Sequence, residues 1–483
     1  MNDADNVMVR RGVRILAGLG LGLALACGSS SSSTSTVTSP LENPADPNGW
    51  NGSKAIETNP TYDSWLPVVA MDSTGNAFAP WQKTAVAGSA DNLDLLWGAG
   101  YQASSNLWQA DQAFSSLTGS QDVQVAGDGK GNFLYVWDVT SDSNTFSVYV
   151  NTYSTASGMG RTPQPLSAGN SGLPAIAMNA NGAACVAWQK QGSTYMQIWA
   201  SQLNPATGLW SSPQQVSTTT ATDAFYPVVG LDSAGDAAIM WAQGATSTSG
   251  PFVSELATFV SGSSWSAPWS PNTPGTTVDA LFGPGKSFTL TMNDSGAHAV
   301  WAQSGDSGQT YAIGATRWTL ASGTWSTPVD VSGVGGYAIQ PTIGQDASAN
   351  AIAAWAAGGT SSIEPMNITT AAFTPTGIGT GVWQTPQILA VVQSGAIDDP
   401  TLAVNATGAA VLAYDQFDGN VWRVCGSTFL PNPGWVEPVY IQTPSGGNAD
   451  WPNASISANG QAMVVWDQGD SNGMRHIYAN RFN

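Results

Sequence analysis

Charge is scarce in this sequence, and positive charge scarcest of all. Only 9% of the 483 residues are charged, against about 25% in an ordinary soluble domain. Thirteen Lys and Arg face 32 Asp and Glu, a formal charge of −19. So few cations exclude a protein that coats DNA or RNA, because phosphate contacts are made by Lys and Arg. Two His and three Cys leave little for imidazole- or thiolate-ligated metal chemistry. No Cys-His cluster, phosphate loop or Gly-x-Ser-x-Gly elbow occurs. The apolar run 15–26 has 12 residues, too short to cross a bilayer core of about 30 Å as a helix. Gly (54), Trp (21) and an apolar fraction of 42% take the place of charge. That much apolar surface excludes wholesale disorder.

The body of the chain is one phrase written eight times: a Pro, an alternating apolar stretch, Asp or Asn, two residues, Gly, then alternation ending in an aromatic. Examples are Pro67, Asp72, Gly75 and Trp81; Pro174, Asn179, Gly182 and Trp188; and Pro227, Asp232, Gly235 and Trp241. The aromatics Trp81, Trp137, Trp188, Trp241, Trp301, Trp355, Tyr414 and Trp466 follow one another at intervals of 56, 51, 53, 60, 54, 59 and 52 residues. A second phrase, Gly-x-Trp-Ser-x-Pro, falls between them, as at Trp210–Pro213 and Trp325–Pro328. Each unit then holds about four short strands with period-2 alternation, joined at its first hairpin by the Asp-x-x-Gly turn. Four strands per unit at this period is the pattern of a propeller blade. The eighth unit ends at a third strand, and its missing phrase stands before unit one at Gly49-Trp50-Asn51. The expected fold is therefore all-β: an eight-bladed β-propeller, its ring closed by the N-terminal strand completing the last blade. The repeated aromatics read as core between blades and the turn acids Asp72, Asp128, Asp232 and Asp346 as turn caps. Cys185 and Cys425 occupy unmatched repeat positions and read as buried free thiols.

The turn acids resemble the Asp-box of sialidase-type propellers, although the Gly-to-Trp spacing here is longer; in that family the box is structural. A sialidase-like activity would require an arginine triad, a Tyr nucleophile and a Glu partner. Of the arginines, Arg161, Arg317, Arg423, Arg475 and Arg481 belong to the body of the chain, and most fall in or beside third strands. His298 lies in an alternating strand and His476 opens the last one, with no nucleophile phrase beside either.

At the N-terminus, Arg10, Arg11 and Arg14 precede the apolar run, which ends in Ala24-Leu25-Ala26-Cys27. This resembles the lipobox of bacterial lipoproteins, in which the Cys is lipidated and opens the mature chain. The Ser/Thr run 29–39 that follows behaves as a flexible tether. The resemblance implies a signal peptide at 1–26, a lipidated Cys27 and tether at 27–47, and the propeller at 48–483. Gly28 after the Cys implies the outer membrane or cell surface.

Just before the first strand, several units carry an acid beside an aromatic. Aromatic faces and carboxylate acceptors suit a sugar ring, so Asp63, Trp65, Asp223, Tyr226, Asp399, Asp450 and Trp451 are candidate ligand-binding residues. A second set follows the blade aromatic: Asp415 with Asp418, and Asp467 with Asp470. Carboxylate pairs on short loops suit Ca²⁺, which takes six to eight oxygen ligands. No acid pair stands out for catalysis. The expectation is a monomeric surface lipoprotein whose propeller is a non-enzymatic binding module for protein or glycan. A sialidase-like glycoside hydrolase or lyase is the alternative, and a purely structural envelope protein a second one.

Overall fold

A computed structural model describes residues 49–483 apart from 59–61, 86–94, 116, 143–144, 161, 168, 219–220, 245–251, 274, 279–285, 307, 334–335, 360–364, 378, 393–394 and 443–446. The lipobox, Cys27 and the Ser/Thr run lie outside the described residues. These contain no α-helix and none long and apolar enough to cross a membrane. The chain is all-β, its antiparallel strands forming seven sheets in a propeller-like arrangement.

The second repeat shows how the phrase folds. Its strands Ser120–Gly127, Asn132–Asp142 and Thr145–Ser154 pair in sequence order. The place of a fourth strand is taken by two short stretches, Gly158–Met159 and Gln164–Pro165, both paired with the third strand. The same division recurs around the Trp-Ser-x-Pro phrase, at Leu209–Trp210 and Gln214–Gln215 for instance. Proline cannot donate to a ladder, so the outer strand breaks there. One nine-stranded sheet carries both the fourth and fifth repeats, because Thr277–Val278 pairs with Phe252–Phe259 of one and Gly296–Ser304 of the other.

The two ends of the chain meet. Lys54–Ala55 pairs with Arg475–Phe482, with Lys54 opposite Ala479, and Trp50 bridges to Phe482. First-repeat backbone then reaches the last repeat: the amides of Val69 and Met71 donate to Asn453 Oδ1 (2.9 Å) and Ser455 Oγ (3.1 Å).

The core lies between neighbouring repeats. All eight repeat aromatics are at most 1% exposed. Phe78 of the first repeat stacks on Tyr153 of the second at 4.2 Å. Val136 and Val148 of the second join Val186 and Trp188 of the third. Near the axis the first strands approach closely: a Cβ on Gly230 would stand 2.6 Å from Met292, and one on Gly344 2.5 Å from Val404. The turn acids act as caps. Asp72 Oδ1 accepts from the amides of Thr74 (2.8 Å) and Asn76 (2.9 Å), and Asp128, Asp232 and Asp346 repeat the pattern. Where Asn replaces Asp, its Nδ2 donates onward to the next repeat: Asn179 to Asp232 O, Asn293 to Asp346 O and Asn405 to Ser457 O. Cys185 and Cys425 are buried free thiols; burial pushes the Cys185 thiol up to about 12.

Candidate functional site

The first strand is not regular. In six repeats the ladder shifts register so that two residues oppose one. Gln121 faces Asp138 and Gln124 faces Val136, leaving Asp122-Val123 across from Trp137. The same shift falls opposite Trp188, Trp241, Trp355, Tyr414 and Trp466. Each is a β-bulge, a device that re-aims one side chain and is over-represented beside functional sites. The first residue of each takes positive φ, between 50° and 59°, at Asp122, Leu173, Tyr226, Gln340, Asp399 and Trp451, and Leu66 does so where the first repeat's strand breaks between Tyr62–Trp65 and Ala70–Met71. None of these is glycine. A non-glycine residue in this region costs on the order of 1–3 kcal/mol and persists where surrounding structure imposes it.

Those seven residues line one cavity of about 490 Å³, with a residue triplet from the first strand of nearly every repeat around it. The fifth repeat has no Pro in the phrase. Its ladder runs without a register shift, Phe288 facing Trp301; Ser287, at the corresponding place, is buried, and Lys286 lines the cavity from one residue earlier, beside Phe288. The volume falls within the roughly 300–1,000 Å³ of ordinary ligand pockets. Second-strand residues just after the repeat aromatic brace the next repeat's bulge. Asp138 Oδ2 accepts from Leu173 N (2.9 Å), Gln189 Oε1 from Tyr226 N (3.5 Å) and Asp467 Oδ2 from Leu66 N (3.3 Å).

The polar groups concentrate on one side. Lys286 forms an ion pair with Asp399, and its ammonium sits 3.9 Å from the centroid of the Trp451 ring. Gln340 Nε2 donates to Asp398, while the Asp399 amide donates to Asp398 Oδ1 at 3.0 Å. Oxygens of Asp398, Asp399 and Asp415 lie within 4.8 Å of one another, and all three residues are buried. Behind Trp451, Arg475 bridges Asp467 and Asp450, the latter at 2.6 Å.

Three of the seven ligand-binding candidates, Tyr226, Asp399 and Trp451, therefore line the cavity. The other four do not. Asp63 accepts from the Arg475 amide (2.8 Å) and Asp223 from the Met196 amide (2.6 Å). Trp65 is buried, its indole donating to Thr84 Oγ1 (3.2 Å), and Asp450 is held by Arg475. The paired acids are not brought together either. Asp418 caps its own turn through the amides of Asn420 and Val421 and pairs with Arg423, whereas Asp415 clusters with Asp398 and Asp399. Asp467 braces a bulge, and Asp470 caps the turn to Met474 (2.9 Å). Among the described residues the oxygen cluster nearest to what a cation needs is thus Asp398, Asp399 and Asp415. Sequence reading passed over Leu66, Asp122, Leu173, Lys286 and Gln340. For three of these, Leu66, Leu173 and Gln340, the signal was present as the residue immediately before the repeat's Pro.

The two histidines serve packing and pairing. His298 is buried against Phe373, and desolvation, with the nearby Arg317 charge, takes it down to about 3. His476 Nδ1 meets Glu57 at 2.5 Å. Of the arginines, Arg317, Arg423, Arg475 and Arg481 lie on third strands, and none of the described arginines lines the cavity.

No family model and no curated protein matches the chain. Solved structures do. An ulvan lyase bound to a glycan aligns with TM-score 0.50 at 10% identity, over 87% of this chain and 95% of that one. An α-L-arabinofuranosidase of Fusarium graminearum aligns with TM-score 0.38 at 11% identity, over 64% and 92%. A leech intramolecular trans-sialidase aligns with TM-score 0.36 at 9% identity, over 89% and 93%. At such identity the likeness is one of fold: these are propeller-like neighbours.

Proposed function

We propose that this protein is a glycan-acting β-propeller of eight blades, closed by its N-terminal strand, whose site is the cavity at the channel mouth. One observation carries the reading: strained first-strand residues of seven repeats, and Lys286 of the remaining one, converge on a single cavity lined by three aromatic rings, those of Tyr226, Phe288 and Trp451, and several carboxylates. Strain repeated around an axis and spent on aiming side chains into one space is the mark of a built site. Tyr226 and Trp451 supply faces for the C–H side of a sugar ring. Asp122, Asp399 and Gln340 supply acceptors and an amide for its hydroxyls. The ulvan lyase, arabinofuranosidase and trans-sialidase all act on glycans, which agrees with this reading at the level of fold and no further. Closure is supported by the pairing of Lys54–Ala55 with Arg475–Phe482.

Cleavage is a second reading, favoured by the gathering of the Asp398, Asp399 and Asp415 carboxylates at one side of the cavity, since glycosidases work with a pair of carboxyl groups. A glycan array probed with the full chain is expected to give at least one ligand class. The double variant Tyr226→Ala/Trp451→Ala should lose about thirtyfold or more in affinity for it, taking about 1–3 kcal/mol for each of the two aromatic stacking contacts by analogy with bases. Release of reducing ends that disappears in Asp399→Asn would establish cleavage. Absence of any ligand, or full binding by the double variant, would refute the site.

We further propose that the chain is exported and lipid-anchored through Cys27, a reading that rests on Arg10, Arg11, Arg14 and the Ala24-Leu25-Ala26-Cys27 box. Metabolic labelling with a radioactive fatty acid should mark the wild type and leave Cys27→Ser unlabelled; equal label in both would refute it.

A further inference from the structure

The charges around the cavity are lopsided. Its lining carries the carboxylates of Asp122, Asp398 and Asp399 and one ammonium, that of Lys286. That ammonium is already held between the Asp399 carboxylate and the Trp451 ring. Behind this layer Asp415, Asp450 and Asp467 add three more acids, and Arg475 is shared between two of them. Six carboxylates thus stand against two committed cations, in a cavity whose other walls combine apolar Leu66, Leu173, Phe288 and the repeat prolines with uncharged polar groups such as Gln124, Gln340 and Asn453. Low-dielectric walls focus such a field rather than dissipating it.

Resting on the glycan reading above, we infer that the cavity selects glycans without acidic groups and favours those that carry free amines. A uronate or sulfate entering the mouth would meet like charge with no uncommitted cation to receive it, and like charges brought together where desolvated repel. A ligand ammonium meets the opposite situation. Lys286 itself demonstrates the geometry, since a carboxylate beside an aromatic face is what an ammonium needs. Neutral sugars fall between the two, held by stacking and hydroxyl contacts alone.

The test is calorimetric titration of the full chain with short oligosaccharides of four kinds: N-deacetylated amino sugars, their N-acetylated forms, neutral glucans and oligouronates. The amine-bearing ligand should bind about tenfold or more tighter than the oligouronate in 10 mM salt, the low end of what a charge-lined cleft achieves. The gap should narrow at 150 mM, where the Debye length falls from about 30 to about 8 Å. Asp122→Asn and Asp399→Asn should each reduce the preference. Asp330→Asn, which removes an equal charge from an exposed outer strand, should leave it unchanged. Oligouronate binding equal to or tighter than the amine would overturn the inference while leaving the glycan site standing. So would an Asp330→Asn effect as large as that of Asp122→Asn, since that outcome assigns the preference to net charge. Binding of none of the four would overturn the glycan reading and the inference together.

Discussion

Lys83→Met is expected to destabilise the protein by about 3–5 kcal/mol, the usual cost of removing one partner from a buried ion pair. Lys83 is 1% exposed and lies 3.4 Å from Asp111 and 3.8 Å from Glu57, with the Trp97 ring centroid 4.3 Å from its ammonium. Asp111 also accepts from the Thr58 amide at 2.9 Å. Lys83 and Asp111 belong to the first repeat, whereas Glu57 and Thr58 follow the N-terminal strand that lies on the last sheet. The ammonium therefore ties together the two ends of the chain. Met keeps most of the side-chain volume, so the loss reports charge rather than a cavity. Its pH dependence has a definite sign. Burial, the largest influence on Glu57, raises it above its ordinary 4.5 even with Lys83 and His476 pulling the other way. A raised carboxyl group supports the folded state while protonated, and this contribution is lost as pH rises through its folded value. Without Lys83 the charged carboxylates lose their counter-ion. The share of the variant's deficit that comes from Glu57 should therefore be smaller near pH 4 than at neutrality. Denaturant unfolding at a series of pH values measures it; a deficit under 1 kcal/mol at pH 7 would mean that the seam does not depend on this charge.

Trp50→Ala should cost a similar amount, about 3–5 kcal/mol for truncating a fully buried indole. Trp50 is 1% exposed, meets Phe482 edge-on at 5.7 Å and packs with Val411, Ile441 and Trp466. Its loss leaves a hole where the N-terminal segment crosses from the last repeat towards the seventh. The edge of Arg475–Phe482 then loses its cover, and an uncovered edge strand is open to other chains. Faster hydrogen exchange in residues 475–482 and earlier proteolytic removal of the N-terminal segment should accompany the lower stability. Leu107→Ala, at a position 62% exposed, should change stability by no more than about 0.5 kcal/mol. Equal effects of the two substitutions would refute a structural role for the N-terminal segment.

These two experiments probe what the sequence made plain. The repeat phrase announces itself because each of its parts has a local physical cause. Gly75 and Gly235 adopt the positive φ of the turn, Asp72 and Asp232 cap it, and Trp81 or Trp241 sits within the second strand in the core. The site was only half legible, and the reason is the bulge. Strict alternation places Trp65 and Asp450 on the face that one extra residue then gives to Leu66 and Trp451. A shift of a single residue flips every side chain, so these two candidates landed one position away from the cavity. The fifth repeat hides its contribution further, since Phe288 stands in the place of Pro and Lys286 lines the cavity from an unmatched position. The Arg475 bridge to Asp450 and Asp467 was also out of reach, because it crosses three strands whose register no local pattern specifies.

The central claim is that the bulge residues of the repeats build a sugar site at the channel mouth. A crystal structure with an oligosaccharide selected on the array tests it most directly. Sugar density is expected in the cavity, against Tyr226 and Trp451 and within hydrogen-bond distance of Asp122, Asp399 or Gln340. Sugar bound on the outer strands or on the opposite face, with the cavity empty, would contradict it.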